Sequence, residues 1–138
     1  MKIVLLFMFW LSFLYGDFIK NGDVVINNHS NLEWQDDSVG DKMMWREAID
    51  YCENLTLNSN SDWRLPNINE LKSVIDKSRY APAVVSAFTN MTSDQYWSST
   101  TYEPSKTRAW IVSFIDGKEG AGNKTYSKHA RCVRGGQP

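Results

Sequence analysis

Met44-Trp45-Arg46-Glu47-Ala48-Ile49-Asp50-Tyr51-Cys52-Glu53-Asn54-Leu55 carries the strongest periodic signal in the chain. At about 100° per residue, Met44, Trp45, Ala48, Ile49, Tyr51, Cys52 and Leu55 share one arc, while Arg46, Glu47, Asp50, Glu53 and Asn54 fill the other. This spacing predicts an amphipathic helix with Cys52 turned inward. The sequence holds one other cysteine, Cys132. One bridge between them is expected, with two free thiols or a shared metal as the alternatives. Two cysteines without histidines nearby make a poor zinc site. A bridge would close a loop of about 80 residues and stabilise by up to roughly 4.5 kcal/mol on the chain-entropy estimate.

Before the helix, Phe18-Ile19 and Val24-Val25-Ile26 flank Asn21-Gly22-Asp23, a hairpin signal, and Leu32 and Trp34 alternate with polar neighbours as a strand should. The acidic loop from Asp36 to Asp41 lacks the spacing and closing Glu of a calcium-binding EF-hand loop. After the helix, Asn58 to Asp62 is a polar stop, followed by Trp63-Arg64-Leu65-Pro66. Asn67 with Glu70 three residues on has capping-box spacing, and Ile68, Leu71, Val74 and Ile75 form an apolar stripe. A second helix ending near Asp76 or Lys77 is therefore expected. Ser78 to Gln95 reads as short turns. Tyr96 to Ser99 reads as a strand, Thr101 to Arg108 as a polar loop, and Ala109 to Ile115 as a strand with Trp110, Val112 and Phe114 on one side. Asp116-Gly117 is a turn signal, and closing strands are expected around Tyr126 and from Ala130 to Arg134. Strands before and after two helices argue for an α+β fold.

The chain has 138 residues, 42% of them hydrophobic, and part of that apolar content is concentrated at the start. From Ile3 to Tyr15 every residue but Ser12 is apolar or aromatic, after Lys2 and before the small Gly16. Residues 1–16 read as a secretory signal peptide, with an uncleaved anchor as the alternative. Residues 17–138 then form one small domain, too short for two cores. No later apolar run approaches the roughly 20 residues of a membrane span. An exported location, in a periplasm, at a cell surface or secreted, fits a disulfide. The formal net charge is -1, which gives no global field for nucleic acid. Its distribution is uneven. Residues 17–42 carry Asp17, Asp23, Glu33, Asp36, Asp37 and Asp41 against Lys20 and Lys42, whereas residues 116–136 carry Lys118, Lys124, Lys128, Arg131 and Arg134 against Asp116 and Glu119.

Taken together, Leu32-Glu33-Trp34-Gln35, Trp45-x-x-Ala48-x-x-x-Cys52, Asp62-Trp63-Arg64-Leu65-Pro66, Tyr96-Trp97-Ser98-Ser99-Thr100, Ala109-Trp110-x-Val112-x-Phe114 and Arg131-Cys132-Val133-Arg134 resemble the Lcl C-terminal domain family. The resemblance implies a C-type-lectin-like fold, related to formylglycine-generating and sulfatase-modifying domains, with two helices, a small twisted antiparallel sheet and long irregular loops. It also implies a bacterial exported protein, since the family's namesake is a collagen-like adhesin whose terminal domain recognises sulfated glycosaminoglycans. Trp45, Trp63, Arg64, Leu65, Pro66, Trp97 and Trp110 fall in the shared words and read as structural anchors, Arg64 as a clasp on carbonyls or a carboxylate.

Two family-related chemistries lack their residues. Calcium-dependent sugar binding would need paired carboxylate and amide ligands, and Glu103-Pro104-Ser105 has no second half. Oxidation in the formylglycine-generating enzymes needs a reactive cysteine pair, and both cysteines here are assigned to a bridge. Neither His29 nor His129 completes a nucleophile triad with Ser98, Ser99 or Thr100. The expectation is a non-catalytic binding module without cofactor or metal, adhesin-like, for a sulfated or acidic glycan or an envelope protein. Tyr102 and Tyr126 would stack on sugar faces while Lys106, Arg108, Lys118, Lys124 and Lys128 meet anionic groups. The alternatives are an oxidoreductase or modifying enzyme and a structural envelope-assembly domain.

Overall fold

A computed structural model describes residues 17–136, so the segment read as a signal peptide lies outside the described residues. Seven strands and two helices follow in the order β1 (Phe18–Asn21), β2 (Val24–Asn27), β3 (Leu32–Gln35), α1 (Trp45–Glu53), α2 (Ile68–Lys72), β4 (Gln95–Thr101), β5 (Arg108–Ser113), β6 (Lys118–Asn123) and β7 (Val133–Gly135). The mixed α+β class is as expected, but the strands form two antiparallel sheets instead of one. The first has the order β1-β2-β3-β7 and the second the order β4-β5-β6. The β1-β2 hairpin turns through Gly22 and Asp23, with Gly22 at φ 62°, a left-handed conformation that glycine adopts without strain.

Four pairs of neighbouring apolar residues explain the layering. Val24, Trp97, Ile111 and Cys132 belong to one buried cluster, and Val25, Tyr96, Val112 and Val133 belong to another. Successive side chains of a strand point to opposite faces. The chain at these positions is therefore covered on both sides. One cluster also holds Trp34, Leu71, Phe88 and Phe114. The other holds Ala48, Trp63, Leu65 and the cystine.

Helix α1 buries Ala48 and Cys52, as its periodicity predicts. Cys52 and Cys132 are both fully buried and form a disulfide with a Cα–Cα distance of 5.4 Å. This bond ties α1 to the segment entering β7. Helix α2 begins as expected: Asn67 Oδ1 accepts the Glu70 backbone N–H at 2.8 Å, and Glu70 Oε1 accepts that of Asn67 at 2.9 Å. It ends earlier than the stripe suggests. Ser73 caps it, and Val74 and Ile75 leave the helix to pair with residues 83–85, through Val85 N–H to Val74 O and Asp76 N–H to Ala83 O. Pairing with the loop that follows thus replaces the last expected turn while Val74 stays buried.

Two further expectations are corrected. Tyr126 lies in a turn and is 64% exposed, and the closing strand begins only at Val133. Strand β6 has no strand pattern in its sequence, because Gly120 and Gly122 weaken strand propensity.

Candidate glycine-floored groove

Sheet β4-β5-β6 presents an unusual surface at its β6 side. The register pairs Trp97 with Ile111, Ile111 with Gly120, and Ala109 with Gly122, which places all five on one face. The bulk falls from tryptophan to isoleucine to glycine across that face. The result is a groove of about 390 Å³ lined by Gly120, Ala121, Gly122 and Asn123 of β6, Arg108 and Ile111 of β5, Gln95 of β4, and Tyr126 and Lys128 from the following segment. Among the described residues, no acidic side chain lines it.

The segment carrying Lys128 is held on both sides. Lys128 exchanges two backbone hydrogen bonds with Met43, at 2.9 and 3.0 Å. The next residue donates from its amide to Gln95 O and accepts from the Trp97 amide. The Trp97 indole N–H also donates to Met43 O at 2.9 Å. With its backbone fixed, Lys128 extends its ammonium to Gln95 Oε1, 5.6 Å from the centre of the Trp97 ring. Burial lowers the Lys128 pKa from the ordinary lysine value, Asp94 opposes that shift and Lys42 reinforces it.

An ionic cluster lies behind the groove. Asp94 pairs with Lys42 at 2.8 Å and faces His129 Nε2 at 3.6 Å. The Lys42 hydrogen bond holds the Asp94 carboxyl below its usual range against the opposing effect of burial. His129 is stacked on Tyr96 and 7% exposed, and its Nδ1 has no partner among the described residues. Burial lowers its pKa, with Asp94 acting in the opposite direction.

The groove gathers three of the seven residues assigned to ligand contact: Arg108, Tyr126 and Lys128. The other four lie elsewhere. Tyr102 packs edge-on against Trp110 with centroids 4.9 Å apart. Lys106 stands in the solvent near Glu103. Lys118 lines a different groove of about 500 Å³ with Lys72, Ile75, Lys77, Gly117 and Glu119. Lys124 places its ammonium 4.0 Å from the centre of the Trp45 ring and donates to Thr101 Oγ1 at 2.9 Å. Gln95, Ile111 and Asn123 were not foreseen. Gly120 and Gly122 were the available signal, since glycines inside a strand often mark a close approach of ligand or backbone.

The anchor residues divide similarly. Trp63 and Trp97 are buried, as are Leu65 and Pro66. Trp45 and Trp110 are only partly covered, Trp45 donating from its indole to Ser98 O at 2.9 Å. Arg64 forks onto Glu70 at 2.7 and 2.8 Å and reaches Gly135 O at 3.2 Å. The Ser98 hydroxyl donates to Trp110 O at 2.7 Å, and Thr100 Oγ1 accepts the Ile68 N–H at 3.0 Å. Among the described residues, no three His, Cys, Asp or Glu side chains are grouped to hold a metal ion, and no helix is long and apolar enough to cross a membrane.

The model of the Lcl C-terminal domain family matches residues 23–134. The chain belongs to the Lcl C-terminal domain family. The matched region takes in both cysteines and every residue of the groove, so the groove is part of the Lcl C-terminal domain and not an appendage to it. No curated protein matches the chain.

Proposed function

We propose that this Lcl C-terminal domain is an exported, non-catalytic binding module that holds an anionic glycan, or another polyanionic surface ligand, in the β6 groove. One observation carries the reading: the groove brings Lys128, the Gln95 amide side chain that receives it and the exposed Tyr126 together beside Gly120 and Gly122, with Arg108 and Asn123 also in its lining. Cations meet sulfate or carboxylate, amides meet hydroxyls, and an aromatic face covers a sugar ring. The placement of the fold in the C-type-lectin-like group, a fold used for recognition, is part of the same proposal. Export rests on the disulfide, which persists in oxidising compartments. The same bond leaves no thiol for the oxidative chemistry of formylglycine-generating relatives.

Heparin chromatography of the oxidised protein tests the reading. Retention at low salt is expected, and replacing Arg108 and Lys128 by Gln should lower the eluting salt concentration far more than replacing Lys106 and Lys118 by Ser. Equal effects of the two double variants would detach binding from the groove. Exposed charge pairs are screened over about 8 Å at physiological ionic strength, so retention should fall steeply with salt.

A further inference from the structure

Two glycines of β6 face the groove, and they differ in what a side chain would meet. A Cβ on Gly120 would lie 3.8 Å from Ile111, an ordinary contact. A Cβ on Gly122 would run into Lys128 Cε and stand 3.4 Å from its Nζ. Neither glycine adopts a left-handed backbone, so conformational freedom does not explain them. The Lys128 stem occupies the space that Gly122 leaves. Met43 fixes its backbone, Gln95 Oε1 receives its ammonium, and the face of Trp97 lies beneath.

We propose that Gly122 is the positioning residue of the groove: by lacking a side chain, it lets Lys128 lie across β6 and present its ammonium as a fixed anchor for one anionic group of the ligand. This rests on the binding function proposed above and assigns the anchor within it. An ordinary surface lysine loses side-chain entropy when it grips an anion. Here the chain is already ordered, and the ammonium has exchanged part of its hydration for Gln95 Oε1 and an aromatic face. An incoming carboxylate or sulfate ester meets a cation that loses little more freedom or water on binding, which favours tight association. Arg108, exposed and also in the groove lining, supplies a second and less restrained charge.

Gly122→Ala displaces only the flexible end of a lysine, so it should keep the wild-type thermal midpoint. Binding is read with heparin, which carries sulfate and carboxylate, and with alginate, which carries carboxylate alone. Lys128→Gln should weaken binding roughly tenfold, the effect of one charge-assisted hydrogen bond. Gly122→Ala should weaken it to a similar extent, while Lys106→Ser, which removes a charge outside the groove, stays near wild type. A loss in both arms assigns the anchored group as carboxylate, and a loss with heparin alone assigns it as sulfate ester. If Gly122→Ala binds both probes like wild type, or Lys106→Ser loses as much, the proposal is overturned.

A second readout needs no ligand. The Lys128 ammonium, followed by nuclear magnetic resonance, should titrate below an ordinary lysine in wild type and move up toward the ordinary value in Gly122→Ala. Identical titration in the two proteins would overturn the positioning role. Failure of wild type to bind either probe would instead overturn the anion-binding reading and the anchor with it.

Discussion

His129 shows how one buried ring ties stability to pH. Its stacking on Tyr96 and its single contact with Asp94 leave Nδ1 unpartnered among the described residues. Burial lowers its pKa below 6.5, Asp94 opposes this, and Lys42 and Arg131 add to it. The unfolded chain therefore takes up this proton first as pH falls. The contribution to stability is complete above about pH 6.5, the unfolded value, and is lost as pH drops through the lower folded value. Urea midpoints measured from pH 7.5 to 5.5 should fall for wild type and fall less for His129→Gln. Arg131 makes a second residue-level case. It is 1% exposed and donates to the carbonyls of Gln35, Ser38 and Asn90, at 3.1, 2.8 and 2.9 Å. Nearby, the buried Asp36 carboxylate accepts from the amides of Thr89 and Asn90 and from Lys20. Arg131→Met would leave the carbonyls without their donor, and a loss of about 3 kcal/mol in urea unfolding is expected.

At the scale of elements, the two helices start differently. Asn67 caps α2 with its side chain, and Asn67→Ala should cost about 1 kcal/mol by urea denaturation. Met44 occupies the corresponding position of α1 in an extended conformation, is 41% exposed, and makes no side-chain cap hydrogen bond. Glu47 already bonds back to its amide at 2.9 Å, so Met44→Ser would complete the reciprocal pair. A gain of about 0.5–1 kcal/mol is expected in the same measurement. Both starts were readable in sequence because capping acts over three residues. The end of α2 was not, because it depends on pairing with residues 83–85. Strand β6 was hidden for a related reason: Gly120 and Gly122 have little preference for a strand, and β5 supplies the register that makes them one.

The whole molecule is joined by a covalent link between residues 80 apart in sequence. Without it, α1 and the chain entering β7 are linked through packing and hydrogen bonds alone. Replacing both cysteines with Ala should lower the unfolding free energy by about 3–4 kcal/mol, somewhat below the chain-entropy value, and reductant should have no further effect on that variant. Parallel urea titrations with and without reductant check both statements. Such a loss is a large share of the net stability of a small domain.

Sequence periodicity and local chemistry were enough to recognise α1, the inward turn of Cys52, the Asn67 cap and the Gly22-Asp23 hairpin, since each depends on residues within a turn or a pleat of one another. The sequence likewise offered Lys128 of the basic carboxyl-terminal stretch, with Arg108 and Tyr126, as candidates for ligand contact, though not their convergence. The division into two sheets, the early end of α2 and the floor of the groove arise where distant segments meet. Lys128 became a restrained cation because Met43, strand β4 with Gln95 and Trp97, and Gly122 of β6, three segments remote from one another along the chain, surround it in space. Such an arrangement has no local pattern, because its energy comes from contacts that form only when the chain is folded.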